Sequence, residues 1–345
     1  LGGDDGLDAY LTRSERAAEL VRVGYDQPKL GGFDRASAFC ELAAQGEGPL
    51  LERSATLCLG EAIALGLDPA ETPHVRRAFA TALWWFVGEP TVLDLEAVDD
   101  VQSHPERAIA RRERDRASEG AALLFEYLES TRGVSDTGVL STALLAASGQ
   151  KTDPALPTWN NEPDYVDVMR HTLVQNRVRM ISLFRDFAVS RMFIGSRDDG
   201  QHLPALGWTG EFGAARFDWV IPWSTLPRRV LLTRAIEPSG TALIWLNLAG
   251  VPPEASLGFR AEWEAPVAFA WTLVRLDASG GELSRVDLPF QERASEAEGR
   301  VAELRGASAI AIVGTYLDEV TLAHPFDPDV EPFEPHSATI YLTKL

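Results

Sequence analysis

Apolar residues recur with helical spacing from Arg13 to about Gly195, and the period then changes. Leu51, Ala55, Cys58, Ala62 and Leu65 fall on one helical stripe, and Val75, Phe79, Leu83 and Phe86 on another. The second stripe is entered through Pro73, whose fixed φ suits a first helical turn. Further helices are predicted over 34–45, 117–131, 136–147, 162–174 and 178–194. Breaks such as Leu67-Asp68-Pro69 and Thr152-Asp153-Pro154 separate them.

Beyond Gly195 comes a stretch containing Gly and Asp, and then short runs rich in β-branched and aromatic residues. These are Arg216–Ile221, Val230–Ile236, Ala242–Leu248, Leu257–Trp263, Val267–Leu276, Leu283–Leu288, Val301–Leu304, Ala309–Tyr316 and Thr339–Leu342. Turn clusters such as Asp277-Ala278-Ser279-Gly280-Gly281 divide them, which predicts an antiparallel β-sandwich. The fold class expected is therefore segregated α+β. A helical domain spans 1–195, a linker 196–213 and a sandwich 214–345.

Composition narrows the function classes. With 345 residues, 45% of them hydrophobic and 24% charged, the chain can bury a substantial core and is not a disordered segment. Its formal charge of −19 is spread over both halves and opposes binding to nucleic acid or an anionic membrane surface. No run of 18 apolar residues exists to span a membrane. The chain starts at Leu1 without methionine, so an export signal removed upstream is expected, and with it an extracellular or cell-surface location; a cytoplasmic one stays open. Cys40 and Cys58, 18 positions apart, are either a disulfide or two buried thiols.

Motifs are mostly wanting. There is no Gly-x-Ser-x-Gly elbow, and Gly149-Gln150-Lys151-Thr152 lacks the frame of a phosphate loop. None of His74, His104, His171, His202, His324 and His336 has a second histidine four residues away. His202 follows Asp198 and Asp199, and His104 follows Asp99 and Asp100, two histidine–carboxylate neighbourhoods of loose spacing. The acidic run containing Asp327, Asp329, Glu331 and Glu334 offers carboxylates to Ca²⁺ but without an EF-hand's glycine and spacing. Trp84-Trp85-Phe86 and Trp219, Trp223, Trp245, Trp263 and Trp271 are read first as core, with sugar stacking as the other use of the tryptophan pair.

Four segments carry a resemblance: Arg53 to Ala62, Ser118 to Leu128, Trp159 to Asp164, and Phe217 to Trp223 with Leu226 to Arg229. Together they resemble a myxobacterial family of secreted zincin-like metalloproteases with a C-terminal β-sandwich. The resemblance implies zinc-assisted peptide hydrolysis, with two histidines one turn apart on the metal and a glutamate as general base. Laid on this chain, it makes Glu61 the vestigial base and Glu119 the vestigial third ligand, while Gly60 and Ala64 stand where the histidines belong. No zinc is then expected. Glu61 and Glu119 read more simply as solvated glutamates, and Gly60 with Ala64 as a smooth face for close helix packing. The expected function is a non-catalytic pseudopeptidase with a binding or structural role, its partner a protein or an extracellular polymer. Alternatives are a metal-dependent hydrolase that uses Glu61, Glu119 and a histidine such as His171, with zinc as cofactor, and a self-assembling extracellular structural protein.

Overall fold

A computed structural model describes residues 8–12, 19–25, 36–43, 48–67, 71–109, 117–132, 180–264, 267–291, 293–317 and 334–345. The predicted helices 136–147 and 162–174, the segment Trp159 to Asp164, His171, and the calcium candidates Asp327, Asp329 and Glu331 lie outside these residues. The architecture is α+β, and the chain forms two compact units, residues 1–98 with 110–176 and residues 99–109 with 177–345.

The first unit opens with strands β1 (Asp8–Thr12), β2 (Glu19–Tyr25) and β3 (Ala36–Ala43), in sheet order β1-β3-β2. β3 runs parallel to β1 and antiparallel to β2. This corrects the helix predicted over 34–45. Cys40 and Leu42 alternate with the less buried Phe39 and Glu41, a period of two that ladder bonds on both sides enforce over local helical preference. Helices α1 (Pro49–Leu67), α2 (Pro73–Val87), α3 (Val92–Ser103, of which residues up to Val98 belong to this unit), α4 (Ala117–Gly120) and α5 (Ala122–Arg132) follow. A Cys40–Cys58 disulfide, with Cα atoms 5.9 Å apart, ties β3 to α1. Burial on α1 also departs from the apolar stripe: Ala55 is exposed, whereas Arg53, Leu57, Gly60, Glu61 and Ala64 are buried. Glycine makes that face possible, because a Cβ at Gly60 would lie 2.7 Å from the Cα of Ala80 on α2.

α2 is buried from His74 to Ala82 on every side, and again at Trp84 and Trp85. Thr72 caps it by accepting from the Val75 N–H at 3.3 Å, with Pro73 in the first turn. Phe79 meets Phe125 of α5 edge-on at 6.2 Å.

The second unit contains α6 (Met180–Ser190) and the strands β4 (Trp219–Pro222), β5 (Arg228–Leu231), β6 (Thr241–Asn247), β7 (Leu257–Trp263), β8 (Ala268–Leu276), β9 (Glu282–Asp287), β10 (Glu296–Val301), β11 (Ala309–Leu317) and β12 (Ala338–Lys344). They form a four-stranded sheet β10-β7-β12-β5 and a five-stranded sheet β4-β6-β11-β8-β9. Ladders are antiparallel except β4 with β6.

Both sheets feed one core: Val230, Phe259 and Ile340 from the first, and Ile244, Trp271 and Ile312 from the second. Alternate residues of the five-stranded sheet, Leu243, Val274, Ala311 and Val313, pack instead with Ala188 and Val189 of α6 and with Met192 and Phe193 after it. Burial on both faces explains why β6, β8 and β11 read as unbroken apolar runs. Residues 196–213 hold 3₁₀ turns at Gly195–Arg197 and Pro204–Thr209 and bury Leu203, Leu206 and Thr209.

Trp271 lies across its cross-strand partner Gly314, where a Cβ would fall 2.4 Å from the indole. Gly314→Val is therefore expected to lower stability by at least about 1–3 kcal/mol, the usual cost of overpacking, as measured by urea unfolding followed through tryptophan fluorescence.

Candidate functional site

The residues of the suspected site meet in the first unit, around two buried arginines. α1 supplies Arg53 and, two turns on, Glu61; α2 supplies Arg77; the first turn of α3 supplies Asp94; α4 supplies Glu119. Arg77 donates to Glu61 Oε1 from Nη1 at 2.7 Å and to Glu119 Oε1 from Nε and Nη2 at 3.0 and 2.6 Å. Arg53 donates from Nη2 to Glu119 Oε2 at 2.5 Å, and from Nε to Asp94 Oδ1 and Oδ2 at 3.0 and 3.2 Å. Asp94 also accepts from the indole N–H groups of Trp84 and Trp85 at 3.1 and 3.0 Å and from the Thr91 N–H and hydroxyl at 2.7 and 2.8 Å. Asp94 is fully buried, and Glu119 is the member that reaches solvent, its side chain 21% exposed.

The electrostatics follow from this geometry. Burial alone would raise the pKa of Asp94, but the Arg53 hydrogen bond and charge and the Thr91 donors outweigh it and hold the carboxyl below its ordinary range. Burial likewise pushes Glu119 up, and the charges of Arg77 and Arg53 bring it down below its ordinary value. Desolvation works against the Arg53 cation, yet Asp94 and Glu119 raise its pKa overall.

Glu61 and Glu119 are thus brought together, and neither is the solvated glutamate that the plain expectation describes. The cation they share is the Arg77 guanidinium. Gly60 and Ala64 are buried on the close-packed face of α1. His74, one turn before Arg77, has its Nδ1 2.9 Å from Ser118 Oγ, and both residues are buried. Trp84 and Trp85 are core residues whose indole N–H groups serve Asp94, so the tryptophan pair forms no surface platform. Arg53, Arg77 and Asp94 were missed by apolar periodicity. The available signal was Arg76-Arg77 inside an otherwise apolar helix, since such a cation needs a carboxylate partner.

Two other charged clusters sit in the second unit. His104 Nδ1 lies 3.2 Å from Glu106 Oε1, and Arg234 Nη1 donates to both, at 2.7 and 2.5 Å. His202 has Nδ1 2.8 Å from Asp199 and Nε2 2.9 Å from Glu282. Among the described residues no group of three or more His, Cys, Asp or Glu side chains is arranged to hold a metal ion. Glu334, the described member of the calcium candidates, is exposed. No family model and no curated protein matches the chain.

Removing one cation from such a network strands carboxylates in the interior, so Arg77→Met is expected to cost about 3–5 kcal/mol in chemical unfolding. Adding Glu61→Gln and Glu119→Gln to that variant is expected to recover part of the loss. The pH dependence has a definite sign. Asp94 and Glu119 have depressed pKa values in the folded state, so their contribution is complete above the unfolded carboxylate range and is lost as pH falls through the folded values. Asp94→Asn should flatten the acid limb of the stability curve below about pH 4, as monitored by circular dichroism.

Proposed function

We propose that this protein is a non-catalytic, secreted or cell-surface protein with a binding or structural role, built on a helical scaffold related to zincin-like peptidases. One observation carries it: a single buried guanidinium, that of Arg77, occupies the position between Glu61 and Glu119 that a metal-dependent peptidase would need for its cation. Permanently charged arginines, Arg77 on both carboxylates and Arg53 on Glu119, supply the hydrogen bonds and positive charge there without any bound ion. The zincin-like reading of residues 1–195 and the sandwich reading of residues 214–345 belong to this proposal.

The Cys40–Cys58 disulfide fits an oxidising compartment, and no helix among the described residues is long and apolar enough to cross a membrane. The partner is a protein or an extracellular polymer. The edge strands β9 and β10 carry Glu282, Arg285 and Asp287, and Glu296, Glu298 and Arg300, and that charge opposes strand-to-strand pairing between copies at these two edges.

Elemental analysis of the purified chain is expected to find no stoichiometric zinc, and a peptide library is expected to remain uncut. One tightly held zinc per chain, together with peptide cleavage abolished by Glu61→Gln, would overturn the proposal.

A further inference from the structure

The second unit contains a charged seam in which one member changes charge near neutral pH. α6 and the segment after it are stitched to the edge strand β9 by three links: Arg185 to Asp287 at 3.0 Å, Asp186 to Arg285 at 3.3 Å, and His202 to Glu282 at 2.9 Å. The His202 ring is fixed in orientation, stacked on Phe193 with centroids 4.0 Å apart and planes 8° from parallel. Phe193 is itself buried in the layer between α6 and the five-stranded sheet.

Both ring nitrogens of His202 face carboxylates, Nδ1 toward Asp199 and Nε2 toward Glu282. A carboxylate only accepts, and a neutral imidazole has a single N–H, so both bonds exist together only with the imidazolium. We propose that His202 is a pH-operated latch that holds the 195–209 segment on β9 while protonated and releases it as the proton leaves.

The surroundings decide which bond opens. Asp199 lies in the same segment and also accepts from the backbone N–H groups of Gln201 and His202, at 3.0 and 3.2 Å. That fixes it beside Nδ1 whatever the ring's charge. Glu282 keeps two hydrogen bonds from Arg285, at 2.8 and 3.0 Å, and stays on its strand without the histidine. The neutral ring therefore retains its N–H toward Asp199, and the lone pair of Nε2 confronts the Glu282 carboxylate. The contact that joins the segment to the strand is the one that turns repulsive.

Among the described residues the ring contacts Asp199 on its own segment and Glu282 on β9, and the other charged members of the seam are Arg285 and Asp287 on β9 and Arg185 and Asp186 on α6. Burial lowers the pKa of His202, but Glu282 and Asp199 raise it overall, and Glu282 is held at about 2 by the His202 and Arg285 hydrogen bonds against its own desolvation. For a group with a raised folded pKa, the stabilisation is complete below the unfolded value and is lost as pH rises through the folded one. The latch is closed below the ordinary imidazole range and opens as pH rises through the raised folded value.

The experiment is a ring-nitrogen NMR titration of the intact chain, with the His202 signal assigned by its absence in His202→Gln, together with amide hydrogen exchange between about pH 6 and pH 9, bracketing the imidazole range. His202 is expected to titrate above the ordinary imidazole value of about 6.5. Protection factors in 200–209 and in β9 are expected to fall about ten- to a hundredfold across that titration, the weight of one charge-assisted hydrogen bond. Glu282→Gln keeps an acceptor on the strand while removing its charge, and is expected to shift the His202 titration downward. Should His202→Gln not fold, the wild-type chain and Glu282→Gln carry the test. A His202 that titrates at or below about 6.5, or protection that does not change across its titration, would refute the latch.

Discussion

Two guanidiniums sharing two buried carboxylates and one half-buried one fix how α1, α2, the first turn of α3 and α4 meet in the first unit. An ionised carboxylate inside a protein is tolerable only where donors replace its water, and Asp94 has them from Arg53, Trp84, Trp85 and Thr91. Each donor comes from a different point on the chain, so the carboxylate acts as a geometric template. If α1 slides by one turn, Arg53 loses Asp94 and Glu119 at once, and Glu61 loses Arg77. The close approach at Gly60 and Ala80 serves the same end, since it brings α1 near enough for Arg77 to span Glu61 and Glu119. Such networks add little net stability over a well-packed apolar core, yet they penalise every arrangement that leaves a charge unpaired. Their effect here is to select one packing of the helices.

That constraint also explains what was legible in the sequence. Most strands of the second unit were visible because alternation and turn chemistry are local: β7 spans Leu257–Trp263 as predicted, and β6, β8 and β11 lie within a residue or so of their predicted bounds. The run predicted at Val301–Leu304 is corrected to β10, Glu296–Val301, whose polar residues Glu296, Glu298 and Arg300 hid it from an apolar pattern. Helix α1 was visible as a helix, but its buried face was not. Periodicity equates burial with apolarity, and the face of α1 that is buried carries Arg53 and Glu61. Their partners Arg77, Asp94 and Glu119 stand 16 to 66 positions away, a pairing no local pattern encodes. β3 was misread for a related reason, since Cys40 and Leu42 obtain their partners from β1, β2 and α1 rather than from their own segment.

The second unit shows the opposite balance. Its order comes from apolar layering, with α6 on one face of the five-stranded sheet and the four-stranded sheet contributing to the core on the other. Its ion pairs include the seam of β9 with α6, the triad of His104, Glu106 and Arg234, and Arg260 with Glu262 on the four-stranded sheet. In that triad burial pushes the Glu106 carboxyl up and the Arg234 hydrogen bond pulls it below its ordinary value. Arg191 is fully buried, with no hydrogen bond to a carboxylate among the described residues and only the charge of Glu106 acting on it. It donates to Gln102 Oε1 at 2.8 Å and to the Val101 carbonyl at 3.0 Å, and desolvation lowers its pKa to about 10. A guanidinium can be held this way because, even so depressed, it stays charged at neutral pH and its planar fork reaches two acceptors at once.

The direction of the pKa shifts bears on the proposed loss of catalysis. A carboxyl group acts as a general acid or base near neutrality when burial or a like charge raises its pKa toward the working pH. Glu119 and Asp94 are shifted the other way, because guanidiniums, not carboxylates, are their nearest charged neighbours. Both oxygens of Glu119 already accept from arginine, Oε1 from Arg77 and Oε2 from Arg53, so a proton or a metal ion would have to displace a charge-assisted hydrogen bond in a mostly buried site. A zinc site of the proposed kind would therefore require removal of Arg77 as well as nitrogen ligands at positions 60 and 64. A histidine at position 60 could not be accommodated, since even a Cβ there strikes the backbone of Ala80. The packing that secures the helices is thus the feature that opposes a metal centre, and the two cannot be exchanged by a single substitution.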